Sequence, residues 1–161
     1  KIANEFSNFA RIPLPFKEKQ DLVAIIKNTI VVYDERDDYR IRLETKEEEL
    51  VLLVDKAQMI QVLNNLIKNA IHAVYNNDEG EIIISCYREN NAAIVSVTDN
   101  GTGINKELQN RLFTPHFTTK TKGSGIGLSV VKQIIENHGG EISFESKETK
   151  GSKFIFVLPL K

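Results

Sequence analysis

The sequence predicts one α+β domain, a two-layer sandwich in which helices cover one face of a mixed, mostly antiparallel sheet. The chain has 161 residues, of which 41% are hydrophobic and 27% are charged, which is enough to build one packed core. Segments of helical and of alternating apolar periodicity follow one another in the order ααββαββαββ. This order is typical of helices packed on one face of such a sheet.

Charge and apolar runs exclude several kinds of partner. The net charge is −1, so no overall field attracts nucleic acid or an anionic membrane, and we expect neither contact. No apolar run approaches the ~18 residues of a membrane span, which predicts a cytoplasmic domain. The single cysteine, Cys86, lies in the apolar run EIIISCYRE, which indicates a small core residue in a reducing compartment.

Periodicity assigns each element in turn. Helical spacing predicts helices at residues 1–15, 20–36, 56–77 and 128–138. Alternation predicts strands at residues 39–44, 49–55, 80–90, 92–99, 140–146 and 152–160. We expect the first two strands to pair around the charged turn TKEEE, and the last two to form a hairpin.

The boundaries of these elements carry recognisable signals. Pro13 and Pro15 end the first helix, which we expect to continue upstream of residue 1. Asp55 and Gln58 have the spacing of a capping box at the start of the third helix, and Gly139 is a C-cap for the fourth.

Two glycine clusters, DNGTGI at 99–104 and GSGIGLS at 123–129, flank a polar segment. Neither completes a P-loop or a G-x-G-x-x-G fingerprint. The second cluster runs directly into a predicted helix, where backbone N–H groups can bind phosphate oxygens without a clashing Cβ. A phosphate cradle and a flexible hinge before a helix both fit this pattern.

The third helix carries an unusual amide stripe. At ~100° per residue, Asn65, Asn69 and His72 lie within about 60° of one another, opposite the apolar face. The residues of that apolar face are Met59, Leu63, Leu66, Ile67, Ala70 and Val74. A solvated face more often carries Lys and Glu, whereas amide oxygens suit a hard cation such as Mg²⁺.

Asp99 ends a strand and shares a face with Val95 and Val97, so its carboxylate is expected in the core layer. A buried aspartate needs a donor, and an adenine amino group would serve. A hairpin turn at Asp-Asn-Gly is the alternative, although the sequence after it has a helical pattern.

The segment RLFTPHFTTKTKGSG, residues 111–125, fits either a lid or an ordinary surface loop. Lys120 and Lys122 would bring positive charge to bound phosphates if it is a lid. Phe113 and Phe117 would anchor either version to the domain.

Together these segments resemble the ATP-binding catalytic domain of sensor histidine kinases. That family shares the Bergerat-type ATP-binding fold with type II topoisomerases, Hsp90-like chaperones and MutL-type repair proteins. The matching segments, in order, are NNLIKNAIHA (the N box), DNGTGI (G1), LFTPHF (F), GSGIGLS (G2) and GSKF (the last glycine motif). They span essentially residues 20–160.

The resemblance implies an ATP and Mg²⁺ site. In it Asp99 accepts from adenine, Asn69 holds Mg²⁺, Asn65 helps position metal and phosphates, and Lys120 neutralises phosphate charge. Asn65, Asn69 and Lys120 would be the catalytic residues. The residues that the resemblance places around the nucleotide are Asn65, Asn69, His72, Ala73, Asp99, Gly101, Gly103, Ile104, Phe113, Phe117, Thr118, Thr119, Lys120, Lys122, Gly123, Ser124, Gly125, Ile126, Gly127, Leu128 and Ser152.

Asn65 bears on the type of reaction. Hydrolysing branches of the superfamily are similar to one another in placing a Glu here, as the general base for water. An amide cannot take a proton, which favours transfer to another acceptor. An ATP hydrolase, a nucleotide-sensing module and a protein interaction domain are the alternative interpretations.

The N-terminal segment NEFSNFARIPLP resembles the end of the dimerisation helix in nitrogen-regulation kinases of the NtrY and NtrB type. Residues 1–15 would then end a helical phosphoacceptor domain, and residues 16–161 would form the catalytic domain. The three histidines precede Ala73, Phe117 and Gly139, whereas the family's nucleophilic histidine usually precedes an acidic residue. The resemblance therefore implies an acceptor histidine outside this chain, a receiver domain as partner, and a dimeric parent that can be membrane-anchored.

Overall fold

A computed structural model describes residues 12–34, 38–114 and 127–160 of the chain. The strands are β1 (Glu18–Asp21), β2 (Arg40–Glu44), β3 (Val51–Val54), β4 (Glu81–Glu89), β5 (Ala92–Asp99), β6 (Glu141–Lys147) and β7 (Gly151–Pro159). The helices are α1 (Leu22–Val31), α2 (Lys56–Ala73), α3 (Lys106–Gln109) and α4 (Gly127–Asn137).

The main sheet has five strands in the order β2-β4-β5-β7-β6. Its β2–β4 pair is parallel and its other three pairs are antiparallel, so the sheet is mixed and mostly antiparallel, as predicted. The predicted hairpin of the last two strands is confirmed, with Ser146 opposite Ser152.

The core lies between this sheet and the helices. Alternate residues of the central strands, among them Ile84, Val95 and Phe156, are fully buried. Helix α2 lies between α1 and α4 and contacts β4, β5 and β7, which makes the two-layer arrangement. All six predicted apolar residues of α2 and its C-cap are buried, because a 3.6-residue period places them on one face.

One predicted pairing is wrong. β2 and β3 do not pair with each other: β2 runs parallel to β4, and β3 pairs with β1 in a separate two-stranded sheet. Alternation identifies a strand and its buried face but not its partner, and the charged connection between them is not a hairpin turn. The polar four-residue β1 was not predicted, because it lacks an alternating apolar pattern.

Helix boundaries follow local capping chemistry. Asp21 caps α1 by accepting from the N–H of Val23, so the helix begins at Leu22 and ends at Val31, inside the predicted range. Asp55 accepts from the N–H of Gln58, which confirms the N-cap of α2. Gly139, with φ +80°, follows the end of α4 as predicted.

The predicted reciprocal bond of the capping box is wrong. The Gln58 side chain donates to the carbonyl of Pro13, while the N–H of Asp55 donates to Nε2 of His138. Both partners come from distant parts of the chain, so local spacing gave no sign of them.

Two exclusions concern the membrane and the thiol. Among the described helices, none is both long and apolar enough to cross a bilayer. Cys86 is fully buried, and burial, with smaller effects of Glu47 and Asp21, raises the pKa of its thiol to about 12. The prediction of a core cysteine is confirmed.

Candidate functional site

The candidate site is built where α2, the end of β5 and the start of α4 meet. Asn65 and Asn69 are half-buried on α2, and His72, one turn further on, is exposed. The Asn65 side chain approaches the carbonyl of Gly127, the first residue of α4, with Nδ2 at 3.5 Å from the oxygen. Asn65 of the amide stripe therefore faces the helix that follows the second glycine cluster.

Asp99 is the buried acid of the site. It ends β5 and is 6% exposed, with Oδ1 accepting from the N–H of Gly101 at 2.9 Å. Burial raises the pKa of the Asp99 carboxyl, and backbone N–H groups of Gly101 and Ser152 partly oppose this. Its core-layer position is confirmed, and a carboxylate there gains from a further neutral donor such as an amino group.

The first glycine cluster lies against the C-terminal end of α2. A Cβ on Gly101 would overlap the carbonyl of Ala73, and that carbonyl accepts from the N–H of Thr102 at 3.1 Å. Gly103 has φ +73°, and a Cβ there would overlap the carbonyl of Lys147. Both glycines are required by close approach of another part of the backbone, which the sequence analysis did not predict.

The β6–β7 hairpin forms the other side of this loop. The N–H of Ile104 donates to Oγ of Ser146 at 2.8 Å, and Ser146 Oγ lies 2.9 Å from Oγ of Ser152. The N–H of Thr149 donates to the carbonyl of Thr102 at 2.6 Å. The loop is thus held on one side by α2 and on the other by the hairpin.

Phe113 belongs to an aromatic cluster with Phe144 and Phe154. Its ring centroid lies 6.0 Å from that of Phe144 and 6.5 Å from that of Phe154. Nζ of Lys132, on α4, lies 6.0 Å from the Phe113 centroid, which is within cation–π range. The predicted anchoring of Phe113 is confirmed, and its contact with a nucleotide stays a prediction.

The segment between the first glycine cluster and Phe113 has only a short helical stretch. The predicted helix after the first glycine cluster is the four-residue α3, capped by Asn105, and turns follow it.

Several predicted site residues lie outside the described part of the chain. They are Phe117, Thr118, Thr119, Lys120, Lys122, Gly123, Ser124, Gly125 and Ile126. Gly127 and Leu128, both half-buried, open α4, and Ser152 is buried beside Asp99. The predictions for the lid and most of the cradle therefore stay predictions.

Sequence reasoning missed residues that shape the site without belonging to a motif. Ser146 binds Ile104, which is 42 positions away, and Lys132 lies over the ring of Phe113, which is 19 positions away. Gln109 binds Ile104, which is five positions away. A serine facing the core side at the end of β6 was the only available signal, since Ser146 alternates with Phe144 and Ile142.

The described residues contain no group of three or more His, Cys, Asp or Glu side chains that could hold a metal ion. Asn65 and Asn69 carry amide oxygens on this face of α2. A cation that brings its own phosphate and water ligands fits such a sparse neutral donor set.

Comparison with known families agrees with this arrangement. The family described as histidine kinase-, DNA gyrase B- and HSP90-like ATPase matches residues 54–161, more than half of the chain. The chain belongs to this family. Within it, the sequence and fold are those of the ATP-binding catalytic domain of a sensor histidine kinase, as predicted.

Solved structures and curated proteins give the same result. The catalytic domain of the histidine kinase ThkA is 36% identical, with a TM-score of 0.80 over 89% of this chain and 95% of that one. A putative NtrY-like sensor histidine kinase of Rickettsia conorii is 33% identical over 99% of this chain and 27% of its own length. The nitrogen regulation protein NtrY of Azorhizobium caulinodans is 32% identical, over 94% of this chain and 20% of its own length. The chain thus spans about a fifth to a quarter of these curated relatives.

Proposed function

We propose that this domain binds ATP with Mg²⁺ between the Asn65–Asn69 face and the start of α4, and transfers the γ-phosphoryl group to a histidine of a dimerisation domain. The observation that carries the proposal is Asn65, a neutral amide directed at the first residue of α4. A hydrolase needs a base at the attacking water, and an amide cannot accept that proton.

Each end of the nucleotide would have its own set of residues. Asp99 would accept from the adenine amino group, since the carboxylate is buried and has N–H partners on its other contacts. Gly101, Gly103 and Ile104 would line the base. The N–H groups at the start of α4 would bind phosphate oxygens, because the first turn of a helix leaves its donors unpaired.

Asn69, with Asn65 beside it, would hold Mg²⁺. When bound, the ion neutralises charge on the phosphate oxygens during transfer. The protein's own share is alignment: α2 fixes both amides on one face, and α2 is itself packed against α4. Lys120 and Lys122 would add positive charge, His72 would face phosphate oxygens, and the polar segment at residues 111–125 would close over them.

The step breaks the bond between the β,γ-bridging oxygen and the γ-phosphorus, and forms a bond from a histidine nitrogen to that phosphorus. ADP leaves, and the histidine nitrogen loses its proton. We propose that residues 1–15 end the helical domain that carries this histidine in the parent, and that residues 16–161 form the catalytic domain. The short coverage of the curated relatives supports further domains in such a parent.

Further partners are proposed on the same basis. A longer ThkA structure, 31% identical to this chain where the two align, shows that histidine kinase in complex with the response regulator protein TrrA. We propose that the parent of this chain likewise passes its phosphoryl group to a receiver domain, and that the parent is a homodimer. Membrane anchoring of the parent would lie outside this chain.

The test is incubation with Mg²⁺ and γ-labelled ATP, with and without a purified helical dimerisation domain from a related sensor kinase. Protein-bound label and free phosphate are followed together. We expect label on the added domain only, and none when its acceptor histidine is replaced by Gln. Free phosphate released without labelled protein would contradict the proposal and identify a hydrolase.

A further inference from the structure

The β6–β7 turn is tied to the first glycine cluster by contacts that no sequence motif requires. The N–H of Thr149 donates to the carbonyl of Thr102, and the carbonyl of Lys147 lies where a Cβ of Gly103 would be. These contacts place the hairpin turn directly behind the loop that would line the base. The hairpin is therefore a structural wall of the candidate base pocket.

Ser146 makes the central contact of this wall. Its hydroxyl accepts from the N–H of Ile104 at 2.8 Å, and lies 3.2 Å from the carbonyl of Gly151 and 2.9 Å from Oγ of Ser152. A hydroxyl has one proton and two lone pairs, so it can accept from Ile104 while donating to the start of β7. Ser146 thus joins the glycine loop to β7 in one side chain.

The start of β7 in turn is fixed against Asp99. Ser152 lies opposite Asp99 in the β5–β7 ladder, and its backbone N–H interacts with the Asp99 carboxylate. A continuous set of contacts therefore runs from the Asp99 carboxylate through Ser152 and Ser146 to Ile104. These contacts fix the distance between the Asp99 carboxylate and the backbone of Ile104.

Gln109 holds Ile104 from the other direction. Its Nε2 donates to the carbonyl of Ile104 at 2.9 Å and approaches the carbonyl of Ser146 at 3.4 Å. Both backbone polar groups of Ile104 are thus bound by side chains rather than by a strand or helix. The position of Ile104 depends on these two side chains.

We infer that Ser146 is a positioning residue that sets the selectivity of the site for adenine, by fixing the loop at Ile104 relative to Asp99. The inference rests on the proposed function, because it assumes that Asp99 accepts from the base. Ser146 itself touches no reacting atom. It acts through Ile104 and Ser152.

Replacement of Ser146 by Ala leaves the N–H of Ile104 without its acceptor, and the loop is free to move. Loss of a partner for a half-buried donor typically weakens a site by about tenfold. The loss should be larger for adenine than for hypoxanthine, whose carbonyl replaces the amino group and cannot donate to Asp99. The preference for ADP over IDP should fall by about fivefold.

The experiment is calorimetric titration of this chain with Mg·ADP and Mg·IDP. The unsubstituted chain should prefer ADP, and Ser146→Ala should lower ADP affinity about tenfold with a much smaller change for IDP. Ser146→Thr keeps the hydroxyl and should restore the preference. Ser143→Ala is the matched control, because Ser143 is exposed on the opposite face of β6.

Gln109→Ala provides a second test if Ser146→Ala does not fold, and should shift the ADP preference in the same direction. Equal weakening of ADP and IDP, or unchanged ADP affinity, would overturn the inference and leave Ser146 a purely structural residue. Equal affinity of the unsubstituted chain for ADP and IDP would instead contradict the proposal that Asp99 accepts from the adenine amino group. In that case the proposed base contact fails, and the inference fails with it.

Discussion

Two amide side chains of the candidate site bind polar groups without taking up protons. Asn65 and Asn69 present these amides on a half-buried helix face. Such groups orient a charged ligand but do not activate water. At the scale of single residues, the site is suited to alignment of a phosphoryl donor for an acceptor that comes from elsewhere.

Asn69→Ala tests the proposed metal ligand. Loss of an amide oxygen from a charged ligand should weaken Mg²⁺-dependent ADP binding by at least about tenfold. Ala is a better helix former than Asn, so the melting temperature should stay within a few degrees of that of the unsubstituted chain. Calorimetry with and without EDTA measures the metal dependence.

Asn28→Ala is the control, since Asn28 is an exposed amide in the neighbouring helix α1. It should change neither metal dependence nor ADP affinity. If Asn69→Ala binds Mg·ADP as the parent does, Asn69 is not a ligand.

Sequence alone predicted residues whose signal is periodic. The 100° spacing put Asn65 and Asn69 on one face, and alternation with Val95 and Val97 put Asp99 in the core layer; both placements agree with the structure. Ser146 could not be predicted, because its partner Ile104 is 42 residues away and no local pattern records that contact.

At the scale of elements, the position of α2 relative to α4 determines the site, because Asn65 lies on one and Gly127 on the other. His138, which follows α4, is a second connection between them. Its Nε2 accepts from the N–H of Asp55, the N-cap of α2, at 3.0 Å, while its Nδ1 is 2.8 Å from the carbonyl of Ile134. A carbonyl can only accept, so the ring is neutral with its proton on Nδ1.

Acidification should break this connection. Burial lowers the pKa of His138, Lys17 lowers it further, and the Ile134 carbonyl and Asp55 partly oppose this. The unfolded chain takes up the proton below about pH 6.5, whereas the folded chain resists it. Stability should therefore be complete above pH 6.5 and fall as the pH drops below it, by at most about 1.4 kcal/mol per pH unit.

Urea unfolding of the unsubstituted chain and of His138→Gln between pH 8 and pH 5.5 measures this effect. Gln keeps an acceptor for Asp55 but does not titrate, so its stability should vary less over this range. His72→Gln, at an exposed histidine of α2, should retain the pH dependence of the parent. Identical profiles for the parent and His138→Gln would show that His138 does not couple the two helices.

Elements were predicted better than their partners. Hydrophobic periodicity gave α1, α2, α4 and six of the seven strands, because burial of one face leaves a local pattern. Most of the helix predicted at residues 1–15 lies outside the described residues, and residues 12–15 are not helical. The partner of β2 is β4, reached through β3 and α2, and this parallel pairing has no signature in either strand. The error of pairing β2 with β3 came from treating neighbours along the chain as neighbours in the sheet.

At the scale of the whole molecule, residues 12–17, which precede β1, are bound to the start of α2. The N–H of Phe16 donates to Oδ2 of Asp55 at 2.9 Å, and Gln58 Nε2 donates to the carbonyl of Pro13 at 3.0 Å. Asp55 therefore connects three parts of the chain: this segment, α2, and His138 after α4. The side chains of Leu14 and Phe16 are more than 70% exposed, whereas Ile12 packs against the core, so backbone hydrogen bonds and one apolar contact hold the segment.

Two truncations test this arrangement. A chain that begins at residue 12 keeps both hydrogen bonds and serves as the reference. A chain that begins at residue 18 leaves Nε2 of the buried Gln58 without an acceptor and should lose about 1–3 kcal/mol. Gln58→Leu, made in each truncated chain, removes the buried amide. It should reduce the difference in free energy of unfolding between the two truncations, because no polar group is then left unpaired. Urea unfolding of all four proteins measures these differences, and equal stability of the two truncated chains would mean that the segment is only a tether. Because the backbone of Pro13 and Phe16 is hydrogen-bonded to Gln58 and Asp55, displacement of the chain before β1 would act directly on the helix that carries Asn65 and Asn69.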